Sequence, residues 1–183
     1  MKTLSITSSV ATISLFDRKM IIRDLEIDKN KFTYLGNKEI LHHHKVAFFC
    51  SQKCPSHLIL KSYDWAINQR DKGVCIISGF HSKIEKDVLD FLLKGTQPII
   101  MVLARNMKKR FPIEQRKAIK ENRLLVISPF DDNITQNSRE SCYKRNEVIL
   151  EIADEVVVTF ATKNGKLEKL LKIDRSGKKF EVW

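Results

Sequence analysis

A chain of 183 residues, 43% of them hydrophobic, is long enough to bury a core of its own and short for two, so it is expected to form a single domain over residues 1–183. Its 33 lysines and arginines against 22 acidic residues leave a formal charge of +11, which suits polyanionic partners or, equally, a lysine-rich solvated surface. No run of 18 apolar residues is present, the Ser/Thr-rich start lacks the apolar core and cleavage site of a secretory leader, and the four cysteines form no dense framework. Together these point to a cytoplasmic protein with free thiols, no membrane partner and no disulfide scaffold.

In chain order, residues 1–33 form an N-terminal extension or edge strands. Residues 10–16 fit an edge strand, while 19–28 mix charge and apolar side chains in a way that fits a strand pair or a helix. From Lys45 the signal sharpens. Residues 46–50, 74–77, 99–103, 124–127 and 156–158 are short continuous apolar runs, the pattern of strands buried on both faces. Between them, Ile59, Tyr63, Ala66 and Ile67 recur at helical spacing, as do Ile84, Val88, Phe91 and Leu92. Cys142, Val148, Ile149 and Ile152 make a less regular stripe. Leu167, Leu170 and Leu171 predict a last helix closed near Gly177, and residues 180–183 a final strand. Strand and helix therefore alternate, which predicts an α/β, three-layer Rossmann-like fold with a mostly parallel sheet flanked by helices.

In such a sheet, ligands sit outside the carboxyl ends of the strands, where strand order reverses. The residues that follow each apolar run are therefore the candidates. After the second run comes Ser78-Gly79-Phe80-His81-Ser82, entering a helix with Glu85 in its first turn. The glycine and the free amides of a helix start suit a phosphate, although Ser82 with Glu85 three residues on is also an ordinary capping box. Arg105 after the third run, and Arg145-Asn146 before the fifth, add guanidinium forks able to hold an anion. Glu85 is the one evident acid for general acid–base work, with a plain helix-start charge as its other role. His42, His43 and His44 with Cys50 and Cys54 have the donor types for zinc but not its paired close spacings, and His81-Ser82 lacks the surroundings of a nucleophile.

The order of these pieces resembles the DprA/Smf DNA-processing family. Residues 34–41, Tyr-Leu-Gly-Asn-Lys-Glu-Ile-Leu, lead into the first strand, and Ser51-Gln52-Lys53 follows it. Ile77-Ser78-Gly79 ends the second strand, Phe111-Pro112 follows the third, residues 125–129 form the fourth, and Arg145-Asn146 matches the family's Arg-Asn pair. The family-like core would be 34–183. The chain departs from the pattern where Cys50 replaces a glycine, where Gly79-Phe80-His81-Ser82 replaces the start of a Gly-Gly-x-x-Gly-x-Asp turn, and where Ala104-Arg105 replaces a glycine-rich strand end. Thr159-Phe160-Ala161 stands where an acid is usual.

The resemblance implies single-stranded DNA binding, a recombinase partner and self-association, for which Phe180, Val182 and Trp183 are available. The wider superfamily implies the alternative of a nucleotide-derived small-molecule binder or hydrolase. The expected phosphate-binding set is Ser51, Lys53, Ser78, Gly79, His81, Ser82, Arg105, Arg145 and Asn146, with no cofactor and no metal.

Overall fold

The computed structural model describes residues 4–5, 11–12, 21–27, 30–173 and 177–183. The strands are β1 (Leu4–Ser5), β2 (Ala11–Thr12), β3 (Ile21–Ile27), β4 (Asn30–Leu35), β5 (Lys45–Cys50), β6 (Cys75–Ser78), β7 (Ile99–Val102), β8 (Leu124–Ser128), β9 (Glu155–Phe160) and β10 (Lys179–Val182). The helices are α1 (Ser56–Asp71), α2 (Lys83–Leu93), α3 (Ile113–Lys120), α4 (Arg139–Ile152) and α5 (Lys166–Ile173). Each apolar run has become a strand of one sheet, in the order β1-β3-β4-β8-β7-β6-β5-β9-β10, with β2 paired to β3.

Six strands, β8-β7-β6-β5-β9-β10, run parallel, and β4 joins β8 antiparallel. The stretch at 21–27 resolves as a strand pair with β4, not a helix. Of the edge strand expected at 10–16, Ala11–Thr12 is strand, and the rest lies outside the described residues. The chain steps outward from β5 through β6 and β7 to β8, then returns to lay β9 on the other side of β5. Strand order reverses there, so the carboxyl ends of β5 and β9 flank the natural crevice.

Because side chains alternate along a strand, β5 feeds two cores. Phe48 and Cys50 pack with Ile76, Ile99 and Met101 beneath Ala66, Val88, Leu92 and Ala118 of α1, α2 and α3. Ala47 and Phe49 pack with Ile77, Ile100 and Val102 against Val148, Ile149 and Ile152 of α4 and Leu170 of α5. These are the three layers, and each fully buried Ile, Leu or Phe contributes about 1.5–3 kcal/mol. Helix α1 presents Leu58, Ser62 and Ala66 to the core, one step round from the expected stripe of Ile59, Tyr63, Ala66 and Ile67. Ser62 is tolerated there because its hydroxyl donates to Leu58 O at 2.7 Å and pairs with the Thr159 hydroxyl at 3.3 Å. Helix α3 has too few apolar residues to show a stripe in sequence, and only Ala118 and Ile119 are buried.

The final strand is present as expected, and its last residue is turned in. Trp183 donates its backbone N–H to Val158 O at 3.1 Å, meets Trp65 edge-on at 6.3 Å between centroids, and lies beneath Lys61 Nζ at 4.4 Å. Val182, by contrast, is 64% exposed. No helix among the described residues is long and apolar enough to cross a membrane.

At the opposite rim, Lys45 opens β5 with its ammonium buried. It donates to Asp154 Oδ2 at 2.8 Å, His43 O at 2.7 Å and Leu41 O at 3.2 Å, while its amide also meets Asp154 Oδ2 at 2.8 Å. Burial alone would raise the Asp154 pKa, but the hydrogen bonds and charge of Lys45 outweigh it and hold the carboxyl below its ordinary 3.8. A depressed folded pKa gives stability that is complete above 3.8 and lost as pH falls through the folded value. In acid titrations followed by circular dichroism, Asp154→Asn is expected to lower the melting temperature at neutral pH and to flatten the acid limb of the wild-type curve. Parallel curves for the two proteins would refute this role.

Candidate functional site

The turn from β6 into α2 is built around one carboxylate. Glu85, 4% exposed, accepts the Cys50 amide on Oε1 at 3.1 Å and the His81 and Ser82 amides on Oε2 at 2.8 and 3.1 Å. Ser82 returns the interaction by accepting the Glu85 amide on its hydroxyl at 3.2 Å, which completes a capping box. Two of the amides at this helix entrance, those of His81 and Ser82, are thus taken by an internal carboxylate. Glu85 borders a cavity, yet both its oxygens hold the turn together.

Phe80 sits in this turn with φ of 46°, the left-handed region that favours glycine. It occupies the second position of the Gly-Gly-x-x-Gly-x-Asp pattern, where that pattern has glycine. Its buried ring and the bond from its amide to Ser78 Oγ at 3.3 Å hold it there. Glu85 occupies the seventh position, the place of the family's Asp.

Arg145, on α4, is 5% exposed, and its guanidinium lies directly against Gly79, where a Cβ would overlap it. A side chain at position 79 would thus displace the Arg145 guanidinium from this seat. Nε of Arg145 donates to Asn146 Oδ1 at 3.0 Å, and among the described residues no carboxylate forms an ion pair with it. A buried cation without a counter-charge is costly unless an anion is delivered to it.

Two adjoining cavities share Arg145, His81 and Asn137 as their common wall. The first, about 420 Å³, lies at the strand-order reversal between Phe49, Tyr143 and Leu167, with Arg139, Asn146 and Lys166 on its rim. The second, about 450 Å³, opens over the ends of β6 and β7. His81 touches Asn137 Nδ2 through Nδ1 at 3.3 Å, and burial, then the charge of Arg145, hold its pKa below 6.5. Both effects favour the neutral imidazole.

Of the expected residues, Gly79, His81, Ser82, Arg105, Arg145 and Asn146 are brought together around these cavities. Three others are placed differently. Ser51 spends its amide on Phe160 O at 2.8 Å and its hydroxyl on the Thr162 amide at 3.1 Å, stitching β5 to β9. Ser78 is fully buried under the turn. Lys53 is exposed on the loop before α1, away from both linings.

Asn137, Tyr143, Lys86 and Lys166 were not singled out in sequence, because loop and helix positions that converge only through the fold carry no local signal. Among the described residues no three His, Cys, Asp or Glu gather to hold a metal. His44 pairs instead with Glu155 at 3.2 Å, and burial pushes the Cys50 thiol up.

If Glu85 is the clasp of the turn, Glu85→Gln leaves backbone donors facing an amide NH₂ and should cost about 3 kcal/mol of stability. Urea unfolding measures it. A variant as stable as wild type would show that the carboxylate is free for another task.

Among solved structures, the fold is similar to DNA processing protein A from Helicobacter pylori, a protein described as having a unique single-stranded DNA binding mode. The TM-score is 0.67 at 18% identity, over 83% of this chain and 71% of that one. It is also similar to DNA processing protein A (DprA) from Streptococcus pneumoniae, with a TM-score of 0.65 at 21% identity over 83% of this chain. This chain matches about half the length of that protein, 54%. At such identities the likeness bears on the fold. No curated protein matches the sequence. The model of the family described as DNA recombination-mediator protein A matches residues 22–170, from β3 through α5. That span takes in the turn of Glu85, the paired Gly79 and Arg145 and the reversal of strand order, and the chain belongs to the DNA recombination-mediator protein A family.

Proposed function

We propose that the chain binds single-stranded DNA, holding a backbone phosphate on Arg145 at the strand-order reversal and receiving a base in the first cavity. The observation that carries this is the buried Arg145 guanidinium, seated on Gly79 and without a carboxylate partner. Tyr143 and Leu167 offer the flat and apolar surface on which any base can stack, and Arg139 and Lys166 add charge along the rim. Family membership, the H. pylori relative and the net charge of +11 support the choice of polymer. A hydrolase is less well supported, because Glu85 is committed to three amides. Delivery of the strand to a recombinase and self-association through the exposed edge at Val182 belong to the same proposal.

Binding of a labelled oligonucleotide should weaken with salt, with a log–log slope of about −0.7 per phosphate neutralised. Arg145→Ala should lose about 1.5–3 kcal/mol of binding, and Arg145→Lys should recover part of it, since a point charge replaces a planar fork. Should Arg145→Ala lower only the melting temperature while its folded fraction binds normally, Arg145 is a brace and the proposal fails.

Acidification supplies a second test. A bound phosphate favours the imidazolium of His81, so affinity should rise as pH falls through the bound-state pKa and level off below the depressed free-state value. His81→Asn should remove that rise. An unchanged pH profile in the variant would place His81 outside the binding site.

A further inference from the structure

The second cavity is more strongly charged than the first, and its charges are not matched. Lys86 of α2, Arg105 and Lys108 of the loop after β7, and Arg145 of α4 line it against a single carboxylate, Asp90. Burial, then the neighbouring Arg105 and Lys86, lower the pKa of Lys108, so these cations are close enough to oppose one another. Ser128 fixes the loop by donating its hydroxyl to Arg105 O at 2.7 Å. Arg105 itself stands where the family's third strand ends in glycine, so this cation is a feature of the chain and not of the family pattern.

We propose that this second cavity is a phosphomonoester site, which takes a terminal phosphate of a DNA strand or the phosphate of a free nucleotide. The argument is one of charge and attachment. A phosphodiester within a strand carries one negative charge and must leave the cavity in two directions. A phosphomonoester carries about −1.5 to −2 at pH 7, offers three acceptor oxygens and is tethered at one point only. Those oxygens meet the guanidinium of Arg105 and the ammonium groups of Lys86 and Lys108. Arg145, shared with the first cavity, spans the terminal phosphate and the rest of the strand.

The inference rests on the assignment of the Arg145 rim to nucleic acid, and the experiment separates the two. Short oligothymidylates of one length, with a terminal phosphate at the 5′ end, at the 3′ end or at neither, are titrated onto the full chain, and thymidine monophosphate is titrated alone. The expected result is that one phosphorylated strand binds about tenfold more tightly than the hydroxyl strand, the equivalent of one charge-assisted hydrogen bond. Lys86→Gln, at an exposed helix position, should reduce that ratio several-fold, and Arg105→Gln should bring it close to one. Preference for a phosphorylated strand without monophosphate binding identifies the strand end as the source. Binding of the monophosphate that depends on Lys86 and Arg105 identifies free nucleotides as ligands too. Equal affinity for all three strands, with no binding of the monophosphate, overturns the inference and leaves DNA binding intact. If no strand binds, the proposed function fails, and the monophosphate titration with its two variants decides the cavity by itself.

Discussion

Glu85 places a carboxylate between two loops whose amides would otherwise be buried without partners. The end of β5 contributes Cys50 N–H, and the turn after β6 contributes those of His81 and Ser82. Three charge-assisted hydrogen bonds to one group fix the start of α2 against the central strand of the sheet. Two parts of the cavity wall are mounted on that junction. His81 leaves it toward the cavities, and Gly79 forms the floor on which Arg145 rests.

The arrangement changes how charge is handled at the rim. In many phosphate sites the helix amides themselves meet the ligand, and the helix start supplies the positive potential. Here an internal carboxylate takes the His81 and Ser82 amides at the helix entrance, and side chains add the charge of the rim. Lys86 of α2, Arg105 and Lys108 of the loop after β7 and the buried Arg145 of α4 carry that charge. Charge supplied in this way depends more on ionic strength than charge supplied by a buried backbone.

Much of the fold was legible because both-face burial leaves an unmistakable trace: runs such as Phe48-Phe49-Cys50 and Ile99-Ile100-Met101 have no polar residue to spare. The short α3 was not, since two buried residues cannot define a period. Nor was the face of α1, where Ser62 enters the core by bonding to Leu58 and Thr159, and hydrophobicity alone cannot foresee such a pairing. In the site, the convergence of Gly79 with Arg145 followed from topology, because both stand at the carboxyl rim of a parallel sheet. The use of Ser51 and Ser78 inside the protein did not, because a serine at a strand end looks the same in sequence whether it faces a ligand or a neighbouring amide. Asn137 and Lys166 belong to the site only through three-dimensional proximity.

The chain has two tryptophans, and the fold sets them against each other: Trp65 of α1, stacked on Phe48 of β5, and Trp183 at the end of β10, 6.3 Å apart. Both stand away from the cavity linings. Intrinsic fluorescence therefore reports on the seat of α1 over β5 and on the docking of the last strand beside it. An emission change that comes before the loss of helical dichroism marks fraying of the sheet edge, and one that coincides with it marks cooperative collapse of the whole sheet. The protein thus carries a native optical gauge of its own edge, separate from any signal a ligand produces at the rim.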